Sequence, residues 1–275
     1  MMRKRTSLGF LSPLIALFAA CGGQATSDVS KASAFREIVN GTATTRFPEV
    51  GAMVIRATSN DPWTTGCTGT LISPTVFLTA GHCTVIWEGL EWGVSFDPVL
   101  GAHSKVITDG TWHRHPDFIF PDVVPGFDAA DMAVFVMKSP VRGIRPAKLP
   151  KLGFAARYAS GEHCDGDEGP RVTTVGYGVT SLDDFLNGAA TAGTRRRAAG
   201  RLVTFDPFWI MVAADPGTAC VLDSGGPTFV GGADGTGERT ILSTLTDGDC
   251  QTSTTSYRLD TPHARAFLRN FVRLP

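Results

Sequence analysis

The segment TACVLDSGGPTF, residues 218–229, places one serine in a turn built from small residues. Ser224 stands between an aspartate and a Gly-Gly-Pro run, so a tight backbone turn can expose its hydroxyl. A serine hydroxyl is a weak nucleophile unless a base takes its proton and a third group orients that base. If Ser224 reacts, the chain must therefore also supply a histidine and a carboxylate. By itself, the same segment also fits an ordinary β-turn.

His82 is the best candidate for the base. It follows the apolar strand pattern in TGTLISPTVFLTAGHC, residues 68–83, and is bracketed by a glycine and a cysteine. The other five histidines lie in loops, before a proline, or at the start of a helical pattern. His113 and His115 have no third ligand at a spacing typical of a metal site. We therefore expect no metal and no other cofactor.

The carboxylate is expected in FDAADMAVFVM, residues 127–137, which offers Asp128 and Asp131. Asp131 leads directly into the apolar run, so it should lie at the edge of the core. There it can accept a hydrogen bond from an imidazole and hold one tautomer. Asp128 belongs to the preceding loop and is expected to be solvated. The sequence therefore predicts His82, Asp131 and Ser224 as the catalytic residues.

Composition and patterning indicate an all-β chain. Of its 275 residues 43% are hydrophobic, and 31 Gly and 17 Pro separate short apolar runs. Residues 261–274 alone show a helical apolar pattern, with Thr261 as N-cap and Pro262 in the first turn. The net charge of −1 gives no reason to expect a nucleic-acid partner. The Arg195–Arg197 run is expected to be a solvated loop.

The order His82, Asp131, Ser224 makes the chain resemble the trypsin-like (chymotrypsin-fold) serine proteases. The resemblance runs from about residue 38 to 272. It is carried by the two segments around His82 and Asp131 and by further motifs: IVNGT (38–42), FPEVGAMV (47–54), VTTVGYG (172–178), CVLDSGGP (220–227) and SYRLDTPHARAFL (256–268).

This resemblance implies two antiparallel six-stranded β-barrels with a C-terminal α-helix. We expect the first barrel within residues 38–160, carrying the histidine and the aspartate, and the second barrel and helix within 161–275, carrying the serine. The implied function is that of a serine endopeptidase acting on proteins or peptides.

The resemblance places the oxyanion hole at the backbone N–H groups of Leu222 and Ser224. The family nearly always has glycine where Leu222 stands. If that position needs a positive φ, leucine is strained there, and the peptide can turn its N–H away from the substrate. Two functions therefore stay open: a working endopeptidase, and a non-catalytic homologue that acts as a surface binding module.

Proteases of this kind are activated by cleavage, which here implies a cut between Glu37 and Ile38. The new ammonium group of Ile38 would then pair with the buried carboxylate of Asp223. A basic residue is usual directly before the cut, and glutamate stands there instead. We therefore expect a separate activating protease, and the alternative is that the protein stays a zymogen.

The specificity pocket implied by the resemblance contains hydroxyl groups. Thr218 is expected at its floor, Thr255 on its wall, and Ser243 or Thr244 near its mouth. None of these positions carries a carboxylate, and a substrate Arg or Lys would bury an unpaired cation. The expected preference is therefore for small or medium uncharged side chains.

The N-terminal segment has the pattern of an exported protein. Residues 1–20 combine three basic residues with a short apolar run, as in a signal peptide. Small residues before Cys21 resemble the bacterial lipoprotein box, and residues 21–37 have the composition of a tether or propeptide. The protein is therefore expected to be lipid-anchored to a bacterial membrane through Cys21, or secreted.

An exported chain can form disulfides. The resemblance implies the pairs Cys67–Cys83 and Cys220–Cys250. Lipidation of Cys21 would leave Cys164 unpaired, and a Cys21–Cys164 disulfide is the alternative.

Overall fold

The computed structural model shows a mainly β protein whose strands form two antiparallel sheets. It describes residues 18–19, 38–39, 41–120, 124–159, 169–230 and 239–275. The strands are β1 (Phe18–Ala19), β2 (Thr42–Ala43), β3 (Val50–Arg56), β4 (Thr64–Ser73), β5 (Val76–Thr79), β6 (Glu91–Ser95), β7 (Gly110–Arg114), β8 (Ala133–Met137), β9 (Arg171–Gly176), β10 (Arg196–Phe205), β11 (Trp209–Ala214), β12 (Pro227–Val230), β13 (Ile241–Gly248) and β14 (Ser253–Arg258). The helices are α1 (Cys83–Ile86), α2 (Ala156–Ala159), α3 (Leu182–Leu186) and α4 (Pro262–Leu268).

The first sheet contains six strands in the order β6–β3–β4–β5–β8–β7. These strands are rich in β-branched and aromatic residues, which suit a pleated surface that is buried on one or both faces. A bridge between Val94 and Ile107 extends the pairing beyond β6. The core of this sheet includes fully buried side chains: Met53, Leu71, Phe77 and Phe135.

The second sheet closes on itself. Its strands follow the order β9–β10–β11–β14–β13–β12, and β9 pairs with both β10 and β12. The short N-terminal strands β1 and β2 add to β10. One of its core clusters is formed by aliphatic side chains: Val172, Leu202, Ile210, Val212 and Leu242.

A closed six-stranded barrel and an open six-stranded half-barrel, which is called the first barrel below, confirm the expected all-β fold class. Strands β3–β8 lie within the range 38–160, and β9–β14 lie within 161–275. Strand β2 differs, because it falls in the first range but pairs with β10 of the second barrel. The N-terminal segment therefore crosses from one barrel to the other.

Helix α4 begins where the sequence predicts. The Thr261 hydroxyl accepts a hydrogen bond from the Ala264 N–H at 3.1 Å, and Pro262 occupies the first turn. The buried side chains of Phe267 and Leu268 pack on the core. The helix ends at Leu268, earlier than the apolar pattern indicates. No helix of the described residues is long and apolar enough to cross a membrane.

Two disulfides are present among the described residues. Cys67 in β4 bonds to Cys83 at the start of α1, and Cys220 bonds to Cys250 after β13. Both expected pairs are thus confirmed. The expectations for Cys21, Cys164 and Glu37 fall outside the described residues, as does almost all of the expected signal peptide and of the expected tether.

The expectation of a solvated Arg195–Arg197 loop is wrong. Arg195 is 1% exposed, and its Nε donates to Val50 O at 3.0 Å and to the Tyr177 hydroxyl at 2.9 Å. Its Nη2 donates to Phe96 O at 2.5 Å. Val50 and Phe96 belong to the first barrel and Tyr177 follows β9, so Arg195 joins the two barrels.

Candidate active site

His82 and Asp131 meet because their strands are neighbours. Strands β5 and β8 pair antiparallel, with Thr79 opposite Ala133. His82 follows the end of β5, and Asp131 precedes the start of β8. The two side chains therefore leave the same end of the first barrel.

Asp131 contacts His82 through three hydrogen bonds. His82 Nδ1 lies 3.0 Å from Oδ2 and 3.2 Å from Oδ1, and the His82 backbone N–H donates to Oδ1 at 2.9 Å. Asp131 is fully buried, and His82 is 7% exposed. A carboxylate at Nδ1 requires the proton on that nitrogen, which leaves a lone pair on Nε2. The geometry thus prepares His82 Nε2 to accept a proton.

A third group, Thr246 of β13, also contacts the carboxylate. Its Oγ1 donates to Asp131 Oδ2 at 2.8 Å. The sequence did not predict this contact. The pairing of β13 with β14 shifts between Leu245 and Asp247, on either side of Thr246. Such a bulge breaks the alternation of side chains along a strand. No pattern in the sequence marks its position.

The same strand corrects one expectation about the pocket. Ser243 and Thr244 are at most 1% exposed and lie where β13 pairs with both β12 and β14. Both are buried within the sheet, so neither lies at a pocket mouth. The residue of this strand that contacts Asp131 is Thr246.

Ser224 is held beside the histidine segment by the first barrel. The Thr68 N–H donates to Ser224 O at 2.9 Å, and Cys83 Sγ lies 3.7 Å from that oxygen. Gly225 has a φ of +81°, and a Cβ there would stand 2.1 Å from Thr79 Oγ1. Only glycine lets the serine turn approach the first barrel so closely. Within the described ranges, no hydrogen bond joins Ser224 Oγ to the imidazole of His82.

Leu222 occupies the third position of a tight turn. The Asp223 N–H donates to Cys220 O at 3.1 Å, and Leu222 has a φ of +73°. Val221, the second residue, is not among the residues with a positive φ, so the turn is of type II and not type I′, and the third position of a type II turn normally has glycine. The leucine backbone is therefore strained, as expected for a positive φ.

Packing offsets that strain. The Leu222 side chain is 7% exposed and packs in a cluster with Val179 and the Cys220–Cys250 disulfide, beside Trp87. Its carbonyl accepts a hydrogen bond from Thr68 Oγ1 at 3.1 Å. In the part of the chain that the structure describes, neither the Leu222 nor the Ser224 backbone N–H donates to a protein acceptor.

The sequence model of the Trypsin family matches residues 38–262 of this chain. The chain belongs to the trypsin family. It is therefore a trypsin-like serine endopeptidase, a hydrolase whose substrates are proteins or peptides.

Among solved structures, this trypsin-family chain is similar to that of the VesB protease of Vibrio cholerae. The TM-score is 0.58 at 17% sequence identity, over 85% of this chain and 67% of that chain. At this identity the likeness supports the chymotrypsin-like fold alone. Comparison with curated proteins gives no match.

Asp223 is another buried acid of the candidate site, in addition to Asp131. It is fully buried and accepts hydrogen bonds from the N–H groups of Gly178 at 2.7 Å and Cys220 at 2.9 Å. Burial raises its pKa to about 6, although these hydrogen bonds act in the opposite direction. A Cβ at Gly176 would stand 2.0 Å from Asp223 Oδ1, so this glycine makes room for the carboxylate.

Ile38, the expected partner of Asp223, is also fully buried. The carbonyl of the adjoining Val39 accepts a hydrogen bond from the Thr218 N–H at 3.0 Å. The N-terminal segment thus contacts the expected pocket floor. No hydrogen bond between Ile38 and Asp223 occurs among the described residues, and the activation pair remains a prediction.

The expected pocket residues occupy different environments. Thr218 is 4% exposed, and Thr255 is half-buried opposite Asp247 on the neighbouring strand. Asp215, the acid nearest to Thr218 in the preceding sequence, is paired with Arg201 at 2.8 Å. That carboxylate is therefore already neutralised by a cation of the protein.

Proposed function

We propose that this endopeptidase cleaves peptide bonds through Ser224, His82 and Asp131. Ser224 Oγ attacks the scissile carbonyl carbon while its proton passes to His82 Nε2. His82 then gives the proton to the leaving amine, and the acyl group stays on Ser224 as an ester. A water molecule, deprotonated by His82, hydrolyses that ester and releases Ser224. The observation that carries the proposal is the contact of His82 Nδ1 with the buried Asp131.

Leu222 and Ser224 are proposed to donate their N–H groups to the oxyanion. The type II turn supports this role, because its central peptide, which carries the Leu222 N–H, is rotated by about 180° relative to a type I turn. The Leu222 N–H therefore points in opposite directions in the two forms. Leucine favours the type I form, in which φ is negative, so we propose that the type I turn is a competing inactive form. Removing one such donor costs about 2.7–4 kcal/mol of transition-state stabilisation in related chemistry.

Cleavage before Ile38 by another protease is proposed to activate the enzyme. The burial of both Ile38 and Asp223 supports it, since a buried carboxylate requires a cationic partner such as an ammonium group formed at Ile38. Preference for small or medium uncharged side chains is supported by Thr218 and by the pairing of Asp215 with Arg201. Export, with lipidation of Cys21 or secretion, is proposed from the sequence pattern alone.

Labelling with a fluorophosphonate tests the mechanism. The full chain, cut before Ile38 by an engineered cleavage site, should label, and Ser224→Ala should not. Peptides with alanine, serine or valine before the scissile bond should be cleaved faster than those with arginine. Absence of labelling in the cut form would overturn the mechanism and leave the binding-module alternative, which the strain at Leu222 favours.

A further inference from the structure

Two histidines and an aspartate meet outside the proposed triad. His115 and Asp117 follow β7, and His263 lies in the first turn of α4. One potential ligand atom from each residue lies within 4.8 Å of the other two. His263 Nε2 is 3.0 Å from Asp117 Oδ2, and the rings of His115 and His263 have centroids 4.4 Å apart. This group, the His-Asp-His cluster, has no part in the proposed mechanism.

We propose that the His-Asp-His cluster of His115, Asp117 and His263 binds a zinc ion. Two imidazoles and a carboxylate are a ligand set that zinc favours. Ligand atoms of a tetrahedral zinc ion lie about 3.3 Å apart. The His263–Asp117 separation is already close to this value, and water would complete the coordination.

An outer carboxylate supports the proposal. His263 Nδ1 lies 2.7 Å from Asp128 Oδ2, so it donates there and presents Nε2 to the metal. A ligating histidine commonly donates its other N–H to a carboxylate in this way. Asp128 is itself held by the Tyr257 hydroxyl at 2.7 Å and by the Ala130 N–H at 2.9 Å. The expectation that Asp128 is merely solvated is therefore wrong.

A competing arrangement uses the same space. Burial lowers the pKa of His263, but Asp117 and Asp128 outweigh burial and raise it. A protonated His263 could therefore bridge the two carboxylates without metal. Zinc binding would also cost His115 one hydrogen bond, because its Nδ1 now accepts from the Asp117 N–H at 3.1 Å. The experiment must distinguish these two states.

The zinc ion would connect α4 to the segment that carries Asp131. The His115 N–H donates to Met132 O at 2.9 Å, and the Ile119 N–H donates to Ala129 O at 3.0 Å. Occupancy should therefore stabilise this segment against unfolding. The sequence did not indicate His263 as a third ligand, because it lies 148 residues after His115.

The test uses the full chain with Ser224→Ala, freed of metal by a chelator, so it does not depend on the proposed function. Titration calorimetry with zinc chloride should show one site per chain, and zinc should raise the Tm. Asp117→Asn should weaken binding at least about tenfold. Asp117 is exposed, so this variant should fold. His263→Gln should abolish binding, whereas His113→Gln, which changes a neighbouring histidine, should not.

Cobalt(II) gives an independent readout, because the visible absorption of a tetrahedral complex differs from that of the hydrated ion. Its spectrum should appear in the parent protein and be absent in His263→Gln. The proposal is overturned if zinc binds no better to the parent than to Asp117→Asn and His263→Gln. That result would assign the cluster to the protonated bridge.

Discussion

Thr246 Oγ1 donates to Asp131 Oδ2 across 2.8 Å, so a strand of the second barrel holds the buried carboxylate of the first. Asp131 accepts from His82 on one side and from Thr246 on the other. The orientation of the imidazole therefore depends on contacts from both barrels. The His82–Asp131 pair is not a property of the first barrel alone.

Replacing Thr246 by valine should slow the reaction while the protein stays folded. A hydrogen bond to a charged group contributes about 1.5–3 kcal/mol, so we expect kcat to fall at least about tenfold with little change in KM. Thr246→Ser keeps the hydroxyl and should restore most of the rate. Thr244→Val is the matched control, since Thr244 is as buried but its Oγ1 has no hydrogen-bond partner among the described residues. Equal losses in the two valine variants would contradict the role of Thr246.

Leu222 can be tested by comparing glycine with alanine. Both substitutions remove the packing against Val179 and Trp87, but only glycine also removes the strain at a φ of +73°. We expect Leu222→Gly to exceed Leu222→Ala in free energy of unfolding by about 1 kcal/mol. The glycine variant should also label faster with fluorophosphonate, because its turn populates the type II form more fully. An alanine variant as fast as the glycine variant would show that backbone strain does not limit activity.

Asp223 should make the uncut protein less stable as pH rises. Its folded pKa of about 6 lies above the ordinary value of 3.8, so the folded state binds the proton more tightly than the unfolded state. The contribution of Asp223 to the free energy of unfolding is therefore largest below about pH 4, falls between about pH 4 and 6, and is constant above that range. The full loss is about 3 kcal/mol.

Denaturant unfolding of Ser224→Ala from pH 4 to 7 measures this loss. Combining it with Asp223→Asn should flatten the slope, which separates Asp223 from other titrating groups. Cleavage before Ile38 should flatten it too, because an ammonium partner lowers the pKa of the carboxylate. A slope that Asp223→Asn leaves unchanged would refute the assignment.

Arg195 should contribute to stability and not to chemistry. Arg195→Met removes the hydrogen bonds that the buried guanidinium group donates to Val50, Phe96 and Tyr177. We expect a loss of about 3 kcal/mol in the free energy of unfolding. Arg197→Met, two residues along and only half-buried, should cost less than about 1 kcal/mol. Similar losses in the two variants would remove the case for Arg195 as the connection between barrels.

The parts of the site that the sequence predicts are those determined by residues close together in the sequence. His82 and Asp131 lie at the ends of apolar runs, and these runs form the neighbouring strands β5 and β8. The cap at Thr261 is likewise determined by residues within one helical turn. The role of Thr246 was not predicted, because a bulge interrupts the alternation of side chains along β13. The burial of Arg195 was not predicted, because its acceptors come from distant segments. Asp128 was expected to be solvated, because its side-chain partners Tyr257 and His263 lie about 130 residues away in the sequence.

Thr68 joins the two barrels at the turn that contains Ser224. Its N–H and hydroxyl donate to the carbonyls of Ser224 and Leu222, and its hydroxyl accepts from the Tyr177 N–H at 3.0 Å. The Ser224 turn of one barrel is therefore shaped by a residue of the other. Separation of the barrels would dismantle this turn even if each barrel kept its own strands. Heat inactivation should accordingly begin at the interface, as a loss of alignment that precedes melting of either half.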